Sequence, residues 1–174
     1  MKYKLNFERY SMPLEIERKF LVSGDGWRNG EGIRFKQGYL NTDKERTVRV
    51  RLGGDKAFLT IKGLTTGATR EEYEYEIPTA HAQDLLKLCE GPLIEKIRYK
   101  IACDGLIWEI DEFLGENAGL ILAEVELQSA DQEFERPSWL GEEVTHDERY
   151  FNSNLCSHPY SKWPKVKNKR INLV

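Results

Sequence analysis

A chain of 174 residues with 40% hydrophobic content is long enough for one domain with a substantial core and too short for two. Charged residues make up 32% of it, yet 26 basic and 29 acidic side chains leave a net charge of -3, so no global field draws nucleic acid or an anionic membrane, and any anion site must be built locally. No apolar run approaches the roughly 20 residues that span a bilayer, no signal peptide is legible, and Cys89, Cys103 and Cys156, odd in number and without a C-x-x-C pair, argue against a disulfide framework or structural zinc and for a cytoplasmic protein with reduced thiols.

Residues 1–11 read as a polar extension, with Met12 before Pro13 as an alternative start. Leu14 to Val22 alternates: Glu15, Glu17 and Lys19 fall on one face of a strand, and Leu14, Ile16, Phe20 and Val22 on the other. Residues 23–32, rich in Gly and polar side chains, form a connection with one helical turn near Trp27. Strands follow at Ile33–Asn41, Arg46–Leu52 and Lys56–Lys62, the last two joined by the hairpin signal Gly53-Gly54-Asp55. Thr69–Ile77 places Arg70, Glu72, Glu74 and Glu76 in one register, and Pro78-Thr79 stops it. From Thr79 to Cys89 the period becomes helical, with Ala82, Leu85, Leu86 and Cys89 forming an apolar stripe that should cover one side of the sheet.

Three more strands are predicted: Ile94–Cys103 with Lys96, Arg98 and Lys100 in register, Leu106–Leu114 with Glu109 and Asp111, and Gly119–Gln128 with Glu124 and Glu126. Asp104-Gly105 marks a tight turn between the first two. A helix from about Asp131 through Phe134 and a last one near Asp147–Cys156, capped by Thr145 or His146, complete the reading. Residues 157–174 are expected to be a solvated basic tail.

The fold class is therefore α+β, with about eight mostly antiparallel strands that carry ionisable residues two apart on almost every one. Side chains two apart on a strand lie roughly 6–7 Å from each other, near enough for two carboxylates to share a divalent cation. Period alone leaves open whether the charged face points into a closed barrel or out to water. If inward, each carboxylate needs a cation or a metal, since unpaired buried charge costs several kcal/mol.

The ordered motifs Glu15-x-Glu17-x-Lys19, Gln37-Gly38-Tyr39-Leu40, Arg49-x-Arg51, Leu59-Thr60-Ile61-Lys62-Gly63, Arg70-x-Glu72-x-Glu74, Lys96-x-Arg98-Tyr99, Trp108-Glu109-x-Asp111-x-Phe113, Leu122-Ala123-Glu124-Val125-Glu126 and Val144-Thr145-x-Asp147-x-Arg149-Tyr150 resemble the CYTH superfamily, the triphosphate tunnel metalloenzymes. The resemblance covers roughly residues 12 to 155 and is nearest the short bacterial single-domain branch. It implies a closed eight-stranded antiparallel barrel, with a few flanking helices, that acts on a triphosphate. It further implies that Glu15, Glu17, Glu124 and Glu126 hold Mg²⁺ or Mn²⁺, with Glu72, Glu74 and Asp111 available to a second ion. Lys19, Arg49, Arg51, Lys62, Arg70, Lys96 and Arg98 would grip the phosphates, and Glu15, Glu17, Lys19, Lys62 and Lys96 would carry catalysis.

The expected activity is metal-dependent hydrolysis of inorganic tripolyphosphate by in-line attack of water, with no Ser, Cys or His nucleophile. Thiamine or nucleoside triphosphatase, adenylate cyclase and a non-catalytic polyphosphate-binding module are the alternatives. Lys36 and Lys100, in register with functional neighbours but near strand ends, are left out of the core site. Glu76 is assigned to the rim, and His81, His146 and His158 to the surface.

Overall fold

The computed structural model describes residues 14–28, 30–64, 66 and 69–164; the expected N-terminal extension with Met12, and the tail beyond 164, lie outside them. Nine strands and two α-helices follow in order: β1 (Leu14–Val22), β2 (Ile33–Asn41), β3 (Arg46–Gly53), β4 (Lys56–Gly63), β5 (Thr69–Ile77), α1 (Thr79–Leu86), β6 (Glu90–Cys103), β7 (Leu106–Phe113), β8 (Ile121–Glu126), β9 (Leu140–Glu143) and α2 (Asn152–Ser157). The spatial order is β5-β4-β3-β2-β6-β7-β8-β1-β9, and the additional pairing of β5 with β1 closes eight strands into an antiparallel barrel.

The tight turns fall where the sequence puts them. Asp104 and Gly105 both take positive φ, 48° and 73°, the conformation that a two-residue hairpin of matching twist requires. Gly54, at +59°, serves the β3–β4 hairpin in the same way.

β9 is the strand that the sequence does not announce. Its four residues do not alternate, yet β1 needs a partner there: β5 pairs only with Leu14–Ile16, and β9 continues along the same edge opposite Phe20 and Val22. Gly141 permits the approach, because a Cβ at that position would stand 2.9 Å from the Leu21 carbonyl oxygen. Other expectations are corrected. No helix forms at Asp131–Phe134 or around Trp27, α1 ends at Leu86, and β6 starts at Glu90, four residues before the alternation becomes legible. The last helical segment splits into a 3₁₀ turn at Glu148–Tyr150, capped by the Asp147 side chain rather than by Thr145 or His146, and α2 itself. Beyond it the chain stays packed: Trp163 meets Tyr150 and Tyr160 edge to face and donates its Nε1 hydrogen to the His158 carbonyl.

The apolar faces of the strands point outward and are covered there. One cluster joins Phe20, Trp108, Ile110, Ala123 and Val125 to Trp27 and Trp139 from the long connections. Another seats Ala82 and Leu86 of α1 on Val50 and Ala57. The third cluster is different. Tyr39, Ile94, Phe113 and Leu122 share the strand face of the charged residues, and Leu155 and Cys156 of α2 pack onto them together with Leu120 and Val144. α2 thus plugs one end of the barrel with apolar side chains.

Among the described residues no helix is long and apolar enough to cross a membrane, and all three cysteines are free. Burial at the plug pushes the Cys156 thiol up to about 12. Iodoacetamide at pH 8 should therefore leave Cys156 unmodified in the native chain and alkylate it after unfolding, as read by mass spectrometry of its peptide. Leu155→Ala should cost about 2–5 kcal/mol in denaturant unfolding, because the plug loses a fully buried side chain.

Candidate active site in the barrel lumen

The charged face points inward. Lys19, Arg49, Lys62, Lys96, Arg98, Asp111 and Glu124 are all buried, and strand register explains who meets whom, since directly opposed residues project to the same side. Glu15 stands opposite Arg70 and Glu17 opposite Glu126. Lys19 faces Glu124, Lys62 faces Glu72, and Arg98 faces Asp111.

Three groups of ion pairs line the wall. In the first, Glu15 accepts from Lys62 Nζ at 3.2 Å and Arg70 Nε at 2.8 Å, and Lys62 also lies 2.6 Å from Glu72. In the second, Arg49 and Arg51 converge on Glu74 at 3.3 and 3.0 Å, and Thr60 both receives a hydrogen bond from Arg49 and donates one to Glu74. In the third, Lys96 and Arg98 hold the fully buried Asp111, and Arg98 reaches Glu109 and, at 2.9 Å, Glu124. Lys19 bridges Glu124 at 2.8 Å and Glu17 at 3.5 Å.

Electrostatics divides these groups. Burial raises Glu124, but the Lys19 ammonium, Arg98 and Lys96 outweigh it and hold that carboxyl well below the usual carboxylate range. Glu17, one strand away, moves in the opposite direction: burial and the neighbouring Glu124 push it up, and Lys19 offsets them only in part. Glu126 is raised as well, by desolvation and by Glu15, Glu109 and Glu17. Among the cations, Lys96 is pulled down to about 8 by burial and then by Arg98, and Lys62 is lowered by burial, Arg49 and Arg70.

The β1–β8 wall therefore carries more negative charge than its lysine compensates. Hard carboxylate oxygens short of positive charge are a donor set suited to Mg²⁺ or Mn²⁺. Among the described residues, no three Asp, Glu, His or Cys side chains already converge as a metal cage. The physical reason is visible in the pairs: Glu15, Glu72, Glu74, Asp111 and Glu124 are turned to Lys and Arg. Glu17 and Glu126 are the less compensated members. Asp111, with both oxygens engaged by Lys96 and Arg98, is the least available to an ion.

All fourteen residues singled out from the sequence thus come together on the inner face of the barrel or at its mouth. Lys100 reaches Glu109 from an exposed position, and Glu76 is an exposed partner of Lys56. Lys36 does not share the functional register: it lies on the outer face of β2, 3.6 Å from Glu95. The three histidines are exposed. Sequence reasoning passed over Glu109 as a partner of Arg98, Thr60 as a link between Arg49 and Glu74, and Phe35, whose ring lies under both Arg51 and Arg98 at 5.4 and 5.7 Å. The signal for Phe35 was present, since it shares one strand face with Gln37 and Tyr39.

The CYTH domain family model matches residues 13–157. An inorganic triphosphatase of Acetivibrio thermocellus is 52% identical over 154 residues, 87% of this chain and 99% of that protein. An inorganic triphosphatase of Nitrosomonas europaea is 42% identical over 148 residues, 82% of this chain and 96% of its own length. The crystal structure of the inorganic triphosphatase NE1496 superposes with a TM-score of 0.61 at 38% identity, covering 82% of this chain and 93% of that one. With the match running from β1 to α2 and the charged barrel described above, the chain belongs to the CYTH domain family.

Proposed function

We propose that this chain is a metal-dependent inorganic triphosphatase that cleaves tripolyphosphate to pyrophosphate and orthophosphate inside the barrel. The observation that carries the reading is the lumen itself: seven Lys and Arg side chains project into a cavity that α2 stops at one end. A linear polyanion fits such a site end-on, and its charge would replace the carboxylates that now occupy the cations. The relatives at 52% and 42% identity, both named inorganic triphosphatases, support the same substrate class.

The residues divide the work by position. Lys19, Lys62, Lys96, Arg49, Arg51, Arg70 and Arg98 bind the phosphate oxygens and stabilise charge that develops on equatorial and leaving oxygens during in-line attack by water. Glu15, Glu17, Glu124 and Glu126 would hold Mg²⁺ or Mn²⁺, with Glu72, Glu74 and Asp111 around a second ion. A bound divalent ion supplies charge neutralisation between phosphates and lowers the pKa of water. The apolar plug and the covered outer wall keep bulk water from the inner end, which strengthens every ionic contact there. Three free thiols suit a reducing compartment, and we place the protein in the cytoplasm.

Phosphate release from tripolyphosphate, pyrophosphate, ATP and thiamine triphosphate, each with Mg²⁺, Mn²⁺ or chelator, tests the assignment. Rapid turnover of tripolyphosphate alone, abolished by chelator, is expected. Release of pyrophosphate from ATP with formation of a cyclic nucleotide would indicate a cyclase, and tight binding without any release a binding module. Glu15→Ala should lose at least a hundredfold in metal-dependent kcat, an effect on the order of removing one transition-state electrostatic contact. It should also weaken the rise in Tm that Mg²⁺ or Mn²⁺ produces in the absence of substrate. Full activity in this variant would remove Glu15 from the site.

A further inference from the structure

Among the described residues, one buried polar side chain of the lumen remains over once the ion pairs are drawn. Gln37, on β2, is fully buried, and neither its Nε2 nor its Oε1 has a hydrogen-bond partner. It stands opposite Arg51 on β3 and Ile94 on β6, and it shares its strand face with Tyr39, on which the plug packs. Its carboxamide therefore enters the lumen one step above the apolar floor. The charged residues that follow the apolar floor on β1, β6, β7 and β8, namely Lys19, Lys96, Asp111 and Glu124, all have ionic partners. Buried polar side chains are nearly always satisfied, and leaving both ends of an amide unpaired costs more than filling the slot with an apolar residue of similar volume. The unpaired amide thus points to a ligand.

The chemistry of the amide differs from that of its surroundings. Lys and Arg donate only, so they can hold phosphate oxygens but cannot accept a hydrogen bond from water. The carboxylates nearest the apolar floor, Asp111 and Glu124, are already held by cations. Gln37 supplies an acceptor and a donor on one uncharged group. We propose that Gln37 is a catalytic residue that places the attacking water: Oε1 accepts a hydrogen bond from the water while Nε2 donates to a non-bridging oxygen of the innermost phosphoryl group. The inference rests on the tripolyphosphatase reading given above.

In the step itself the water oxygen forms a bond to the innermost phosphorus, and the bridging P–O bond breaks with its electron pair leaving on pyrophosphate. One proton of the water stays on the attacking oxygen, and the other ends on a non-bridging oxygen of the orthophosphate released. The amide emerges unchanged. A glutamine carboxamide orients water in the same manner in other phosphoryl-transfer sites.

Gln37→Met and Gln37→Glu in the full chain, assayed with tripolyphosphate and Mg²⁺ or Mn²⁺ and melted without substrate, test the role. Gln37→Met keeps the volume and removes both polar atoms. It should lower kcat on the order of a hundredfold, change KM by less than about threefold, and melt at or above the wild-type temperature. Gln37→Glu keeps an acceptor, so it should retain more kcat than the Met variant while raising KM through repulsion of the polyanion. This second variant decides the matter if the first does not fold. A wild-type kcat in Gln37→Met, a loss confined to KM, or wild-type kcat and KM in Gln37→Glu overturns the role of Gln37 alone. A wild-type chain that turns over no triphosphate overturns the tripolyphosphatase reading with it.

Discussion

Everything in this barrel depends on charge balance inside a closed wall. A carboxylate or ammonium withdrawn from water costs several kcal/mol unless it is paired, and the lumen holds both signs in comparable number. The register of the strands supplies the pairing: Glu15 with Arg70, Lys19 with Glu124, Lys62 with Glu72 and Arg98 with Asp111 are directly opposed residues on neighbouring strands. The same register that closes the sheet therefore also neutralises most of it, leaving Glu17 opposite Glu126 as the exception on β1 and β8. A polyanion entering with divalent cations would exchange partners on both sides of this ladder, leaving the total charge of the lumen nearly unchanged.

The inversion has a consequence for the outside. With the polar faces turned in, the apolar faces need cover, and the connections supply it: Trp27 and Trp139 close over Phe20 and Trp108, and α1 lies on Val50 and Ala57. α2 does a different task, entering the lumen end and setting Leu155 against Ile94, Phe113 and Leu122. The cavity thereby has a floor. Its negative excess lies on β1 and β8, where Glu17 and Glu126 are pushed up, and its cations lie mostly on β3, β4 and β6. Such a division suits a ligand that is itself a phosphate chain with bound metal.

Much of the fold was legible because antiparallel strands with one wet and one dry face alternate with period two. β1 to β5 and β7 could be placed within a residue or two, and their turns carried glycine or Asp-Gly. What failed had no periodic signal. β9 is four residues long and exists because β1 has a free edge beyond β5; the stretch at Asp131–Phe134 has polar residues and one Phe that packs on the Trp108 cluster without forming a helix. Lys36 was put in the functional register, although its parity on β2 places it outside with Glu95.

The fourteen charged site residues were named from motif order, and each motif is local. Glu109, Thr60 and Phe35 escaped because their importance lies in contacts across strands, to Arg98, Glu74 and Arg51, that no single strand displays. Gln37 escaped for a further reason: its meaning is the absence of a partner, which only a packed interior reveals. The sequence by itself determined the eight strands of the barrel, the identity of the charged set and the kinship that connects them. The tertiary structure alone decided that the charged face points inward, that α2 stops one end, and which carboxylates are spoken for. Alternation specifies two faces without saying which is dry; that choice is made by closure of the sheet and by what the loops and helices bring to cover the other side.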